Sequence, residues 1–548
     1  MSFDLIFRTP SAYDYPLLIK QLWITPLANA PRQEILYRDE RRQNYLQTRE
    51  RVGRLASALA GLGAKPGTTV AMMDWDSHRY LECFFAVPMM GCVLQTVNIR
   101  LSPDQILYTL NHAGAEVLVI NAEFLPVLES IRDRLETVKT LVLIQDGAAA
   151  PQTPLSFAGE YEALLGAAAP DYAFPDFDEN TRATTFYTTG TTGLPKGVYF
   201  SHRQIVLHTL AILAWFGTAP VQGRVHREDV YMPITPMFHV HGWGMPFAAT
   251  LMGIKQIYPG RYVPELLLKL IREEGVTMSH CVPTLLHMLL SHPASKGTDL
   301  SRLKMIIGGS AMSKGLARAA LERGIDVYSG YGMSETGPLQ IVNHLSSEDL
   351  KQDLDTQAAL RTRTGRAVVL CEVRAVDESM QPRPRDGKST GEIVFRSPWL
   401  TQGYLKDPQK SEELWRGGAL HSGDIGSFSE DGFLHISDRV KDVIKTGGEW
   451  VSSLDLEDII SQFPGVSEAA VIGVPDSKWG ERPLALVVPR PQATIDVEAL
   501  RRHIAVYADK GVICKYGVPE KILIVETLEK TSVGKLDKKV LRGKYAKA

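Results

Sequence analysis

Eleven consecutive residues, Tyr187-Thr188-Thr189-Gly190-Thr191-Thr192-Gly193-Leu194-Pro195-Lys196-Gly197, hold three glycines, four threonines and a lysine. Glycines let a backbone take positive φ and approach a ligand closely. Successive amide N–H groups in such a loop form an anion-binding nest, and hydroxyls with a cationic side chain add charge-assisted bonds. Phosphate is the natural guest, and a Gly/Thr-rich surface loop is the plain competing reading. Neither common phosphate loop is present. Lys196 follows Pro195 rather than the glycine of a Walker A loop, and no Gly-x-Gly-x-x-Gly occurs.

Other stretches carry complementary groups. Ser329-Gly330-Tyr331-Gly332-Met333-Ser334-Glu335-Thr336-Gly337 offers a flat ring for a base and, at Glu335, hard oxygen for Mg²⁺. By residue type alone it is also an ordinary glycine turn with an exposed carboxylate. Pro236-Met237-Phe238-His239-Val240-His241-Gly242-Trp243 sets two histidines two apart, an incomplete metal site or a packed neutral pair. His421-Ser422-Gly423-Asp424 reads as a small turn whose carboxylate suits two ribose hydroxyls. Gly308-Gly309-Ser310-Ala311 misses the nucleophile elbow because position 312 is Met, and no convincing Ser-His or Cys-His arrangement appears. The tail Thr531-Ser532-Val533-Gly534-Lys535-Leu536-Asp537-Lys538-Lys539 is basic, and so by charge alone an ordinary terminus.

The elements that must position these residues alternate. Helical periodicity over Leu46–Leu62, Tyr80–Met90 and Phe124–Leu135 is interleaved with strand-like Val70–Met73, Val117–Ile120 and Leu141–Ile144. Helix Gln204–Trp215, strand Asp229–Pro233, and a helix capped by Ser313 before strand Ile325–Tyr328 continue the pattern. Such alternation predicts an α/β fold: a large N-terminal domain of mostly parallel sheets flanked by helices. Strands at Glu372–Val376 and Glu392–Arg396 add a β-rich subdomain, and charged Leu345–Thr364 reads as a solvated surface helix. The last hundred residues form a small α+β C-terminal unit with helices Asp455–Phe463 and Val497–Tyr507. Its strands fall at Ala469–Gly473, Leu484–Val488 and Lys521–Val525. At 548 residues more than one domain is required. The expected division is 1–437 for the large domain, 438–443 for a linker and 444–548 for the small one.

A net charge of −2 argues against a nucleic-acid partner. Five cysteines without paired spacing suggest neither a disulfide framework nor a thiolate metal site. No signal peptide or spanning segment is evident, so the expected location is cytoplasmic, with peripheral membrane contact left open.

Taken together, six segments in order over about 350 residues resemble the AMP-forming adenylating enzymes. That group holds acyl-CoA synthetases, luciferases and peptide-synthetase adenylation domains, and the texture here is closest to the medium/long-chain fatty acid–CoA ligases. The segments are the Thr188–Lys196 loop, Pro-Met-Phe-His with Trp243, Tyr331 to Glu335, Asp424, Asp438–Val443 and Thr-x-x-Gly-Lys at the end. Departures are mild: Ser334 and Ser422 stand where the family usually has threonine.

The resemblance implies the following roles. Thr188, Thr189, Gly190, Thr191, Thr192, Gly193 and Lys196 cradle the ATP phosphates, with Thr188 and Glu335 on Mg²⁺. Gly309, Ser329, Gly330, Tyr331, Gly332 and Ser334 seat the AMP moiety, joined by Asp424, Arg439, Lys441 and Lys445. His239 lies by the substrate carboxylate and Trp243 gates an acyl pocket that includes Gly308 and Gly332. Asp438–Val443 is the linker and Lys441 the hinge about which a small, mobile C-terminal domain turns. Lys445, Gly447, Gly448, Glu449 and Trp450 form the coenzyme A region. Lys535, preferred over Lys538 and Lys539, enters the site for adenylation. The implied reaction joins a carboxylate to ATP, releasing pyrophosphate, and then passes the acyl group from AMP to coenzyme A. ATP, a fatty acid and coenzyme A are thus the expected partners, and a homodimer is compatible with the resemblance. Aryl, cyclic or branched acids, or a carrier-protein acceptor, remain alternatives, because pocket shape is not written in spacing.

Overall fold

The expected alternation is present, and it builds two sheets and two smaller β units. The computed structural model describes residues 3–147, 151–188, 194–219, 223–439, 441–446, 449–476, 478–510, 512–531 and 535–546. Thr189, Gly190, Thr191, Thr192, Gly193, Gly447 and Gly448 lie outside the described residues, as do the side chains of Lys445, Glu449 and Trp450.

One sheet orders its strands Gly159–Glu160, Thr140–Ile144, Ala115–Asn121, Thr69–Met73, Val93–Thr96, Arg182–Thr188 and Lys196–Ser201. All neighbours are parallel until the last pair, which is antiparallel. The other sheet has a parallel centre of Lys255–Tyr258, Val230–Pro233, Met278–Cys281, Lys304–Ile307 and Asp326–Gly332. Thr69–Met73 is wholly buried. A strand covered on both faces reads as a continuous apolar run, which is why Val70-Ala71-Met72-Met73 shows no alternation.

Two separate apolar clusters cover the outer faces of the sheets, and one larger core runs through both. Helix His78–Met89 lies entirely inside it. Phe84 stacks on Phe247 at 5.4 Å and Phe85 meets Trp23 edge-on at 5.0 Å. Each such aromatic contributes about 1.5–3 kcal/mol by burial. The same helix buries Glu82, which accepts from Arg51 Nε at 2.6 Å and Tyr161 Oη at 2.8 Å. Burial alone would raise its pKa, but the Arg51 guanidinium, with His78 adding, outweighs that and lowers it.

Helix His202–Thr218 begins at Ser201, whose side chain and that of Gln204 form a capping box. Its inward stripe runs Ile205, His208, Ile212 and Phe216. An antiparallel sheet of Glu372–Val376, Gly391–Arg396, Leu420–Phe428 and Leu434–Arg439 forms the β-rich part. Beyond it, strands from Ile444 to Ile524 and helices Ser453–Ser461 and Val497–Asp509 enclose a separate core around Leu456, Val471, Val487 and Ile504.

Four expectations need correction. The strand expected to stop at Tyr328 runs on to Gly332, because Gly330 and Tyr331 pair antiparallel with Leu339–Val342. Asp424 stands in a strand rather than a turn, with Gly423 at φ 70 giving the local bend. Helix Phe124–Leu135 breaks into Leu125–Ile131 and a 3₁₀ turn Arg132–Arg134. The charged stretch before Thr364 is only partly solvated: Arg361 is 2% exposed and donates to Asp326 at 2.6 Å and to the Val327 carbonyl.

Candidate active site

The phosphate-type loop joins two antiparallel strands, with Thr188 opposite Lys196 and Tyr187 opposite Gly197. It is therefore a hairpin connection. It leads into a strand, Lys196–Ser201, where a Walker A loop leads into a helix. The Lys196 ammonium sits 4.4 Å above the Tyr404 ring. The Tyr404 hydroxyl donates to Glu335 Oε1 at 2.7 Å, and the Leu405 amide donates to the Gly197 carbonyl at 2.8 Å. Tyr404 thus ties the loop lysine to the second chemical segment. Nothing in the sequence around Tyr404 discloses this contact.

Glu335 is 7% exposed, so the exposed-carboxylate reading of its turn is wrong. Its backbone carbonyl accepts from Thr401 N at 3.0 Å. Glu335 and Thr188 supply one carboxylate and one hydroxyl. Mg²⁺ commonly takes one or two carboxylates and completes its shell with phosphate oxygens and water. The donor set therefore fits a magnesium that arrives with ATP. No cluster of three metal-ligating side chains occurs among the described residues.

The parallel strands Val230–Pro233, Lys304–Ile307 and Asp326–Gly332 all deliver their carboxyl ends to one side, where open α/β sheets place ligands. After the first comes the histidine segment. Val240, His241, Gly242, Trp243 and Gly244 have φ of 44, 60, 58, 58 and 74, a left-handed turn. Such a conformation costs a non-glycine residue about 1–2 kcal/mol and persists only where surroundings enforce it. The surroundings are visible. Trp243 stacks on His280 at 5.2 Å, and His241 sits among Phe84, Phe186, Phe200 and Phe247 with Nε2 2.7 Å from Thr184 Oγ1. The histidine pair therefore divides. Burial holds His241 neutral, pushing it down to about 3, inside an aromatic box that offers no metal partner among the described residues. His239 is pushed down to about 3 by burial, with the Lys535 and Arg100 cations adding to it, so it too is neutral at pH 7.

After the second strand come Gly308 and Gly309. A Cβ on Gly308 would stand 2.7 Å from the Gly330 carbonyl oxygen and 2.9 Å from Trp243 Cη2, so the indole closes directly over this backbone. Ser329, Gly330, Tyr331 and Gly332 follow the third strand's course, and Ser334 opens the short 3₁₀ turn carrying Glu335. A Cβ on Gly332 would lie 1.8 Å from the Pro338 oxygen, which admits only glycine there.

The Tyr331 hydroxyl donates to Asp424 Oδ2 at 2.5 Å. Arg439 Nε lies 3.4 Å from Asp424 Oδ1, the two residues facing each other across strand neighbours. Burial raises the Asp424 carboxyl even against the Arg439 charge. Lys441 occupies the exposed turn after Arg439.

Lys535 meets this group from the C-terminal part. Its Cε lies 3.3 Å from the place a Gly309 Cβ would take, and its charge acts on His239 and Asp424. The side chain keeps some surface exposure, yet protein crowds the ammonium. Burial and the Arg439 cation pull its pKa down to about 8, against the opposite pull of Asp424 and Glu335. Lys538 is a different lysine: it is 8% exposed and bonded to Glu457 at 2.7 Å and to Ser453 Oγ, inside the small unit. Lys539 faces solvent. Of the three, Lys535 alone approaches Glu335 and Asp424.

The whole constellation has relatives. Residues 25–405 match the model of the AMP-binding enzyme family and residues 455–535 that of the AMP-binding enzyme C-terminal domain. A long-chain-fatty-acid–CoA ligase of Thermus thermophilus is 40% identical over 92% of this chain and 90% of its own length. A 3-methylmercaptopropionyl-CoA ligase of Ruegeria lacuscaerulensis is 38% identical, covering 92% of both chains. A medium-chain-fatty-acid–CoA ligase of Ectopseudomonas oleovorans is 35% identical over 90% of this chain and 89% of its own. Among solved structures, an anthranilate CoA ligase in complex with anthranoyl-AMP superposes with a TM-score of 0.84 at 25% identity, covering 97% of this chain and 98% of that one. With matching segments on both sides of Arg439, the chain belongs to the AMP-binding enzyme family.

Proposed function

We propose that this protein is an AMP-forming acid–thiol ligase that activates a medium- or long-chain fatty acid with ATP and transfers the acyl group to coenzyme A. The observation that carries this reading is the approach of Lys535 to Gly309, Glu335 and Asp424, a cation of the kind that joining a carboxylate to an α-phosphate requires. The long-chain and medium-chain ligases among the relatives support a fatty acid.

In the first step a carboxylate oxygen attacks the α-phosphorus and pyrophosphate leaves. Two anions must come together, so cations and preorganised donors placed where negative charge accumulates are the main source of rate. Lys196 with Thr188–Gly193 holds the β- and γ-phosphates, and Lys535 contacts the carboxylate and α-phosphate oxygens. Glu335 and Thr188 would hold the Mg²⁺ of ATP, which neutralises phosphate charge. Tyr331 packs beside adenine and Asp424 accepts from the ribose hydroxyls. Neutral His239 lies by the acid without competing for its charge. In the second step the thiol attacks the acyl carbonyl and AMP leaves.

Trp243 over Gly308 is the acyl gate in this reading. Because both steps use one acyl-phosphate, the small domain turns about Lys441 between them, bringing the segment Lys445–Trp450 forward in place of Lys535. The linker assigned to 438–443 begins inside strand Leu434–Arg439 and includes the turn that carries Lys441. The exposed apolar side chains of Phe3, Leu5, Ile6 and Phe7 are consistent with self-association through the N-terminal arm. No described helix is long and apolar enough to cross a membrane.

The test is a panel of carboxylic acids scored for AMP release with and without coenzyme A. Release restricted to C8–C18 acids and dependent on coenzyme A supports the reading, and release with aryl acids alone refutes its fatty-acid part.

A further inference from the structure

The small C-terminal unit and the large one each hold the start of a helix that belongs to the other. Helix Lys314–Glu322 of the large unit is capped by Ser313, whose side chain accepts from Leu316 N at 3.3 Å. The first four amides of a helix find no acceptor within it. That of Lys314 donates to Asp458 Oδ1 at 3.3 Å, 144 positions away on helix Ser453–Ser461 of the small unit. A carboxylate suits a helix N-terminus by charge as well as by hydrogen bond. In the other direction Asp438, 2% exposed in strand Leu434–Arg439, accepts from Ser453 N at 2.7 Å. Asp438 lies within the linker, so Asp458 is the carboxylate that grips the body of the large unit.

Where it grips matters. Lys314 comes just after the Gly308-Gly309 loop, and Gly309 is the point that Lys535 Cε approaches. Lys535 and Asp458 also ride on one body. Lys538, just beyond Lys535, bonds Glu457 at 2.7 Å and Ser453 Oγ, both on the helix that carries Asp458. Strand Val466–Asp476 joins them a second way. Its Val471 packs with Leu456 and Ile459 of that helix, while Ala470 and Ile472, on the other face, pack with Leu528 and Leu541 of the tail. A turn about Lys441 that withdraws Lys535 from Gly309 therefore draws Asp458 away from Lys314.

We propose that Asp458 is a positioning residue for adenylation: its bond to the first amide of helix Lys314–Glu322 docks the small domain in the pose that presents Lys535, and it is released for thiol transfer. The proposal rests on the ligase reading and the domain turn above. Every turnover visits both poses, so neither is favoured by much, and a change in the docking equilibrium passes into the rate of the step that needs docking.

The experiment uses the full-length enzyme and its Asp458→Ala, Asp458→Asn and Lys314→Pro variants. Two half-reactions are measured in each: ATP–pyrophosphate exchange with the acid the parent exchanges fastest, and thioester formation from that acid's supplied acyl-AMP and coenzyme A. Proline suits the first position of a helix. Ser313, at φ −70 and ψ 150, already has the extended backbone that a following proline requires. Lys314→Pro thus deletes the donor while keeping the helix. Loss of the acceptor at a helix start should lower the ratio of exchange to thioester formation by about fivefold to tenfold in Asp458→Ala, and likewise in Lys314→Pro. Asp458→Asn, which can still accept, should keep most of the ratio. The double variant Asp458→Ala with Lys314→Pro should fall no further than either single one, because both delete one contact. Since the ratio is taken within one enzyme, a loss of folded fraction cancels. An unchanged ratio in Asp458→Ala, both half-reactions falling together, Asp458→Asn falling as far as Asp458→Ala, or additive losses in the double variant overturns the proposal. No exchange by the parent enzyme with any acid sinks the ligase reading, whereas exchange in the parent with the ratio unmoved in the variants sinks this inference alone.

Discussion

Replacing Lys535 separates what the enzyme needs for chemistry from what it needs for stability. Its ordinary pKa of 10.5 is pulled down to about 8. A depression of this size means the cation sits at a cost of up to about 3 kcal/mol when no phosphate is there to neutralise it. Because the side chain keeps some contact with solvent, that figure is a ceiling. For a base whose folded pKa is lowered, the penalty is complete below the folded value, fades as pH rises towards the unfolded one, and is gone above it. Lys535→Met should therefore stabilise the ligand-free protein at pH 7 by as much as about 3 kcal/mol, with the gain vanishing by about pH 10.5.

The same change should lower the adenylation rate by roughly 100- to 1000-fold, the usual cost of losing one electrostatic contact in a transition state. ATP–pyrophosphate exchange reads adenylation, and thioester formation from supplied acyl-AMP reads the second step, which should remain largely intact. In the parent enzyme, kcat/KM for exchange should fall about tenfold per unit above pH 8, as the cation is lost from the free enzyme. Lys535→Arg should flatten that limb at a lower rate. Equal loss of both half-reactions in Lys535→Met, or destabilisation at pH 7, would refute the placement of this lysine.

Three further substitutions probe separate parts. Tyr404→Phe keeps the ring under Lys196 but removes the 2.7 Å bond to Glu335. A bond to a charged group is worth roughly 1.5–3 kcal/mol, so kcat/KM for Mg-ATP should drop about tenfold or more and recover in part at high Mg²⁺, as steady-state titration will measure. Lys441→Pro, in the exposed turn after Arg439, should block thioester formation while sparing ATP–pyrophosphate exchange. Loss of both activities counts against a hinge there. Glu82→Gln removes the partner of Arg51 in the core. It should cost about 3 kcal/mol in thermal unfolding, the low end for a broken buried pair because Glu162 still bonds Arg51 at 2.7 Å, with unchanged activity per folded molecule.

Much of the fold was legible because central strands buried on both faces and capped helices each leave a mark on local sequence. Thr69–Met73 and the helix after Ser201 are of this kind. What local sequence could not show was pairing. Gly330 and Tyr331 look like a loop until Leu339–Val342 is seen beside them, and Asp424 looks like a turn until it faces Arg439. The site was legible as types and order, from Thr188 to Lys535, and illegible as contact. Tyr404 reaches Glu335 across 69 positions, a separation no spacing rule covers. The preference for Lys535 over Lys538 came from the resemblance; the Glu457 partner of Lys538 is a contact that no spacing discloses.

The central claim is that one site activates an acid as its adenylate and hands it to a thiol. The direct measurement is the product balance when the enzyme turns over a C8–C18 acid with Mg-ATP and coenzyme A. The account predicts equal amounts of AMP, pyrophosphate and acyl-CoA, with acyl-AMP and pyrophosphate alone when coenzyme A is withheld. ADP and inorganic phosphate as products, or no pyrophosphate released when only the thiol is missing, would contradict it.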